Sequence, residues 1–165
     1  MKRLILTLLI ATTSLYSYGG RATSAEKALQ EVLEKNSEVL PEASNDVLEA
    51  AVAPCITQAK DSFREVRARF ERGLPSGSLL LVYRRPPSEG KSWEMGLHLV
   101  ESFSGSLVES YEWMGTVQQS RSYKRVDFPV AEVIDWILAC PNASIEGNRV
   151  AACLKKLKDE KRGTP

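Results

Sequence analysis

Ser78-Leu79-Leu80-Leu81-Val82-Tyr83-Arg84 is followed, past a Pro86-Pro87-Ser88-Glu89-Gly90 break, by Trp93-Glu94-Met95-Gly96-Leu97-His98-Leu99-Val100. The first run is dense in aliphatic and aromatic side chains, which suit a pleated backbone. In the second, Trp93, Met95, Leu97 and Leu99 alternate with Glu94, Gly96, His98 and Val100. A period of two marks a half-buried strand. Two strand-like runs flanking a turn-rich break place a β-sheet at the centre of the fold.

The pattern extends downstream. Ser104-Gly105-Ser106 predicts a turn, and Leu107 to Met114 a third strand. Gln118 to Ser122 reads as a polar connection, and Arg125-Val126-Asp127-Phe128 as a short extended piece ended by Pro129. Val130, Val133, Ile134, Trp136 and Ile137 recur at helical spacing and predict a short helix. After Asn142 come Ile145, a Glu146-Gly147-Asn148 turn, and a last strand near Arg149 to Leu157.

Upstream, the chemistry is helical. Pro54 fits the first turn of a long helix, where its missing N–H costs little. Ile56, Ala59, Phe63, Val66 and Phe70 share one face, Lys60, Asp61, Arg64, Arg67, Arg69 and Glu71 cover the rest, and Gly73 ends it. Before it, Ala28, Leu29, Val32, Leu33, Val39 and Leu40 make a separate apolar stripe that Pro41 stops. Ser44 or Asn45 then caps a second short helix through Val47, Leu48 and Ala51.

Segregated helices and strands indicate an α+β fold, with N-terminal helices on an antiparallel meander and a short helix before the last strand. The expected division is a helical segment at 25–53, an α+β domain at 54–158 and a disordered tail at 159–165. The expected core comprises Phe63, Val66, Phe70, Leu80, Val82, Trp93, Leu97, Val126, Phe128, Ile134, Trp136, Ile137 and Val150.

The first residues read as a targeting segment. Lys2 and Arg3 precede an apolar run from Leu4 to Ala11, and Ala22 and Ser24 are small residues at a cleavage position. That run is shorter than the roughly 20 apolar residues a membrane-spanning helix needs. Removing residues 1–24 as a signal peptide would leave 165 − 24 = 141 residues, with 19 basic against 21 acidic side chains, or net −2. This balance gives no electrostatic case for nucleic acid or an anionic membrane. No Cys lies near the cleavage position, which argues against a lipid anchor.

An oxidising compartment makes the three cysteines candidates for pairing. Cys140 and Cys153 flank a turn at Pro141-Asn142-Ala143, and closing so short a loop would stabilise by about 3 kcal/mol. The other reading makes Cys55, Cys140 and Cys153 small buried hydrophobes. His98 is the single histidine and no Cys-x-x-Cys occurs, so neither a metal site nor any other cofactor is expected.

Candidate chemistry is sparse. His98 reads as a half-exposed strand residue, with no nucleophile elbow to serve. Glu101 and Glu109 could oppose each other across the Ser104–Ser106 hairpin, with Glu112 nearby, as carboxylates for a small hydrolase. A solvated strand face is the plainer reading. Asp135-Trp136 suggests a buried ring beside an acceptor for backbone donors at a neighbouring turn, or for Arg125 or Arg149. Tyr111 and Trp113 share a strand face, with Tyr123 in the following loop, which suits a protein-binding patch.

Four pieces, in order, resemble the bacterial domain-of-unknown-function family 2314, the YegJ-like proteins. They are Ile56 to Phe63, Trp93 after a polar loop, Arg125-Val126-Asp127-Phe128-Pro129 with Ile134-Asp135-Trp136, and Ile145-Glu146-Gly147-Asn148 leading into Arg149-Val150. The likeness spans about residues 50 to 158 and marks Phe63, Trp93, Arg125, Phe128, Pro129, Asp135, Trp136 and Gly147 as structural positions. Arg64 departs from a frequent Pro, Lys91-Ser92 from an acidic-His pair, and Tyr123-Lys124 from a Gly-Asp turn. The resemblance implies a fold and frequent export, and supplies no activity. Being bacterial, it also weighs against glycosylation of the Asn142-Ala143-Ser144 sequon.

The expected function is an exported, periplasmic or secreted, non-catalytic binding or accessory module of the cell envelope, with a protein partner and no stable membrane insertion once the leader is removed. An inhibitor or immunity-like role is one form of it. The alternative is the carboxylate hydrolase.

Overall fold

The computed structural model describes residues 22–37, 45–85 and 96–162. The body of the expected leader lies outside them, as do Trp93 and the Pro86–Gly90 break. The elements are α1 (Ser24–Ser37), α2 (Asn45–Arg72), β1 (Leu79–Arg84), β2 (Gly96–Ser104), β3 (Leu107–Glu112), α3 (Val117–Arg121), β4 (Arg125–Pro129), a 3-10 turn (Val130–Glu132), β5 (Val133–Ala139), β6 (Ile145–Gly147) and α4 (Arg149–Arg162). All strand pairs are antiparallel, in the order β4-β3-β2-β1-β5-β6. The α+β class stands. Among the described residues no helix is long and apolar enough to cross a membrane.

The sheet is forced to curl. Four strand spacings of about 4.8 Å would set β4 roughly 19 Å from β5 in a flat sheet. The four residue steps from Pro129 to Val133 span at most about 14 Å. β4 therefore swings obliquely over the concave side, where the Phe128 ring lies 4.9 Å from the His98 ring and 4.8 Å from the Arg84 guanidinium carbon.

The concave side holds the larger core. Phe63 and Val66 of α2 pack there on Leu80, Val82, Val100, Val108, Phe128, Val133, Trp136 and Leu138, with Phe70 and Val126 at its margin. On the convex side Ala25 and Leu29 of α1 cover Leu81, Leu99, Ile137 and Ala139, with Leu97 and Trp113 alongside. Thr23 and Glu26 cap α1 reciprocally, each backbone N–H donating to the other's side chain at 2.8 and 3.2 Å. Cleavage after Ser24 would remove Thr23 and with it this cap.

Several expectations are corrected. The helix does not begin at Pro54. α2 runs unbroken from Asn45, with Pro54 inside it. The Ala50 carbonyl thereby loses its usual donor. Packing holds the turn, because Val52 is buried against Val150 and Leu154, and Cys55 is joined to Cys153 on α4. There is thus no boundary between residues 53 and 54.

Residues 133–139 form a strand, not the short helix expected there. Every one of the seven is buried, since β5 lies between β1 and β6 with helices on both faces. A short strand apolar on both faces has no alternation to read, and its apolar run mimics helical spacing. Only Val130–Glu132 winds, as a single 3-10 turn. Likewise Arg149 to Leu157 is helical rather than a last strand, and α4 continues to Arg162 where a disordered tail was expected. Val150 and Leu154 fall one helical turn apart, with Leu157 next on the same face.

The cysteine pairing is also corrected. Cys55 and Cys153 form the disulfide, with Cα atoms 6.5 Å apart across 98 residues of sequence. Cys140 keeps a free thiol. The Pro141 turn leads into β6 before α4 begins, so Cys153 reaches α2 instead of Cys140.

Candidate functional site

Two ends of the sheet carry the polar chemistry. At the first, Asp135 of β5 is 1 % exposed. Its Oδ1 accepts from the Trp136 and Arg149 backbone N–H groups at 2.9 and 3.2 Å, and its Oδ2 from Val150 at 2.7 Å. The carboxylate thus caps α4 from a neighbouring strand. Burial pushes its pKa up, opposed by these three backbone donors and by Arg149.

The residue before α4 supplies no such cap. Asn148 has a left-handed φ of 60°, and its amide exchanges hydrogen bonds with that of Asn36 at 2.8 and 3.2 Å. Asn36 also donates to the Tyr83 hydroxyl at 2.9 Å. Desolvation raises the Tyr83 phenol to about 12. Gly147 has φ 86°, and a Cβ there would overlap the Trp136 carbonyl oxygen and ring. The Trp136 indole N–H donates to the Ala59 carbonyl at 3.0 Å and the Ser62 hydroxyl at 3.3 Å. Asp135, Trp136 and Gly147 therefore act together to dock α2 and α4 on β5. The bond to turn donors foreseen for Asp135 is present, whereas Arg125 pairs elsewhere.

His98 is buried on the concave side, not half-exposed as expected. The sheet's curl accounts for this, since β4 covers the strand face that a flat sheet would leave open. Its Nδ1 has no hydrogen-bond partner among the described residues. Desolvation, and then the Arg84 charge, lower its pKa from 6.5 to about 4. Arg84 is itself held by Glu132 at 2.7 Å.

The other end is built by β3, α3 and β4, where most charged side chains face solvent while Ser110 and Ser120 are buried. The β2–β3 register steps between Val100 and Ser102, so Glu109 faces Ser102 and not Glu101. The expected opposition of the two glutamates is absent. Glu109 accepts from the Ser102 hydroxyl and pairs with Arg125 at 2.8 Å, while Arg125 also meets Asp127 at 3.3 Å. Glu101 accepts the Tyr111 hydroxyl, which raises that phenol's pKa. Glu112 is exposed at the end of β3.

α3 starts at Thr116, whose side chain accepts from the Gln119 N–H at 3.2 Å. Its buried Ser120 knots the corner. The Ser120 hydroxyl accepts from the Met114 N–H at 2.9 Å, and its carbonyl from the Tyr123 N–H at 3.0 Å. Met114 and Tyr123 are 44 % and 49 % exposed. Of the three aromatics foreseen for partner binding, Tyr123 is exposed, Tyr111 is half-buried, and Trp113 packs against the core beneath α1. Pro129 ends β4 at the surface, while Phe63 and Phe128 are core residues. Sequence reasoning missed Met114 and Ser120. The Thr116-to-Gln119 spacing of a helix cap was the available signal.

Compared with family models, curated proteins and solved structures, the chain matches none. Among the described residues no group of three or more His, Cys, Asp or Glu side chains stands ready for a metal ion.

Proposed function

We propose that this chain is an exported, non-catalytic binding module of the cell envelope that meets a protein partner at the corner of α3 and the start of β4. The exposure of Met114 and Tyr123, both pinned by Ser120, carries the reading. With Leu107 they are the large apolar side chains most open to solvent among the described residues. Met, Tyr and Arg are enriched where proteins meet, and the exposed Arg121 and Arg125 lie two residues either side of Tyr123 in sequence. Holding the Met114 and Tyr123 backbones through one buried residue, by its hydroxyl and its carbonyl, lowers the ordering cost of binding.

Export is supported by the Cys55–Cys153 disulfide, which persists in oxidising compartments, together with the leader-like first residues. An inhibitor or immunity-like role fits a small module of this kind. The likeness to family 2314 belongs to the same proposal and rests on the ordered motifs. The carboxylate hydrolase is disfavoured, because Glu109 is engaged by Ser102 and Arg125.

The test is affinity capture from envelope extract with the leaderless chain and with a Met114→Ser/Tyr123→Ser variant. The reading expects a reproducible partner that the variant fails to retain. Equal retention by both, or no reproducible partner, contradicts it.

A further inference from the structure

We propose that His98 makes β4 an acid-sensitive flap: protonation of its ring raises the population in which β4 and Phe128 lift off the concave core. This goes beyond the binding-module reading and does not depend on it.

The ring sits in a place that suits only the neutral imidazole. His98 is 5 % exposed, and its Nδ1 has no hydrogen-bond partner among the described residues. Its Nε2 is set against Gly96, where even a Cβ would come within 2.7 Å of it. The Phe128 ring closes over it at 4.9 Å. The charges nearby offer no counter-ion. β1 brings Arg84, whose guanidinium carbon lies 4.8 Å from the centre of the same Phe128 ring. The 3-10 turn brings Glu132, but that carboxylate is taken by Arg84 at 2.7 Å. β3 places Glu112 opposite His98 in register, yet its side chain is exposed. α2 brings Lys60, which donates to the Ala131 carbonyl at 3.3 Å, and Arg67, which lies over the Phe103 ring. On β4 itself, Arg125 and Asp127 alternate with Val126 and Phe128 and so turn to the other face. An imidazolium here is a buried charge without a partner, and reaching water relieves it.

The strand that can move is β4. β1 and β2 each lie between two strands, whereas β4 pairs with β3 alone among the described residues. Besides the five-pair ladder, it is held there by the Ser110 hydroxyl donating to the Val126 carbonyl and the Val130 N–H donating to the Ser106 carbonyl, both at 2.8 Å. Parting these bonds wets His98 and leaves the docking of α2 and α4 on β5 in place. It also uncovers Phe128 and Val126, so acid would present an apolar strand that neutral solution keeps folded away. Local opening of such a peripheral unit takes less free energy than global unfolding.

The experiment compares amide protection in the leaderless chain at about pH 7.5 and about pH 5. His98 ionises near 6.5 when wetted and near 4 when enclosed, so an opening that wets it becomes about thirtyfold more populated across that interval. The proposal expects the Val126 and Phe128 amides to be less protected than those of Trp136 and Val150 at both pH values, and to lose about thirtyfold of their protection in acid. His98→Leu should abolish that loss. In the native chain, the ring signals of this single histidine should still report the neutral form at pH 5, whether or not the variant folds. Protection at Val126 and Phe128 that ignores pH overturns the proposal. So does protection equal to that of Trp136 and Val150, which makes the opening global. A loss that persists in His98→Leu assigns the acid response to Glu112 or Glu132 and overturns it too, as does a ring already protonated at pH 5.

Discussion

The two ends of the sheet handle polar groups in opposite ways. Around β5 and α4 they are buried and matched, with Asp135 serving three backbone donors and Asn36 and Asn148 exchanging amide bonds. Around β3, α3 and β4 most charged side chains are exposed, and β4 ends the sheet among the described residues. A buried polar group stripped of its partner costs about 1–3 kcal/mol, so the first end is built for stability. Exposed charges contribute little to stability, so the second end is free to serve recognition. The distinctive sequence motifs, Asp135-Trp136 and Glu146-Gly147-Asn148, lie at the first end, and the proposed function at the second.

The contrast can be broken first at the disulfide. Cys55→Ser/Cys153→Ser opens a cross-link spanning 98 residues, and the expected loss is about 4 kcal/mol in denaturant midpoint analysis. A loss under about 1 kcal/mol would mean that α4 docks without it. Asp135→Ala should cost about 3 kcal/mol by the same measurement, since it strands backbone donors at the start of α4. Asp135→Asn should recover part of that loss.

Acid should act at the buried histidine. His98 ionises near 6.5 when unfolded and near 4 when folded. Between those values the unfolded chain holds the extra proton, so stability is full above pH 6.5 and falls as pH drops toward 4. The full loss is about 3 kcal/mol, read as the difference in pH dependence between the native chain and His98→Leu. The smallest effect belongs to the open end. Tyr123→Ser and Arg125→Ala should leave the denaturation midpoint unchanged within error while altering partner capture. A clear fall in midpoint would make that corner part of the stabilising framework.

How far this could be read from sequence follows the same division. The stripe from Ile56 to Phe70 disclosed the long helix, because that element turns one face to a core, and the alternation in Leu97 to Val100 disclosed β2, although both faces of that strand are covered. β5 misled because helices cover both of its faces and erase the alternation. α4 misled because its cap comes from Asp135, fourteen residues before Arg149, and a local search cannot find it. The disulfide misled for a related reason, since its partner is distant in sequence. His98 misled because burial by β4 depends on the curl of the whole sheet. At the open end, Tyr111, Trp113 and Tyr123 were visible as aromatics, but only the knot at Ser120 separates the exposed Tyr123 from the packed Trp113.

Native-state amide hydrogen exchange on the leaderless chain tests the division most directly. The account predicts that the Trp136 and Val150 amides open only near global unfolding, whereas those of Arg125 and Asp127 exchange orders of magnitude faster. Equal protection at all four would contradict it, showing β4 to be closed and the two ends to be one framework.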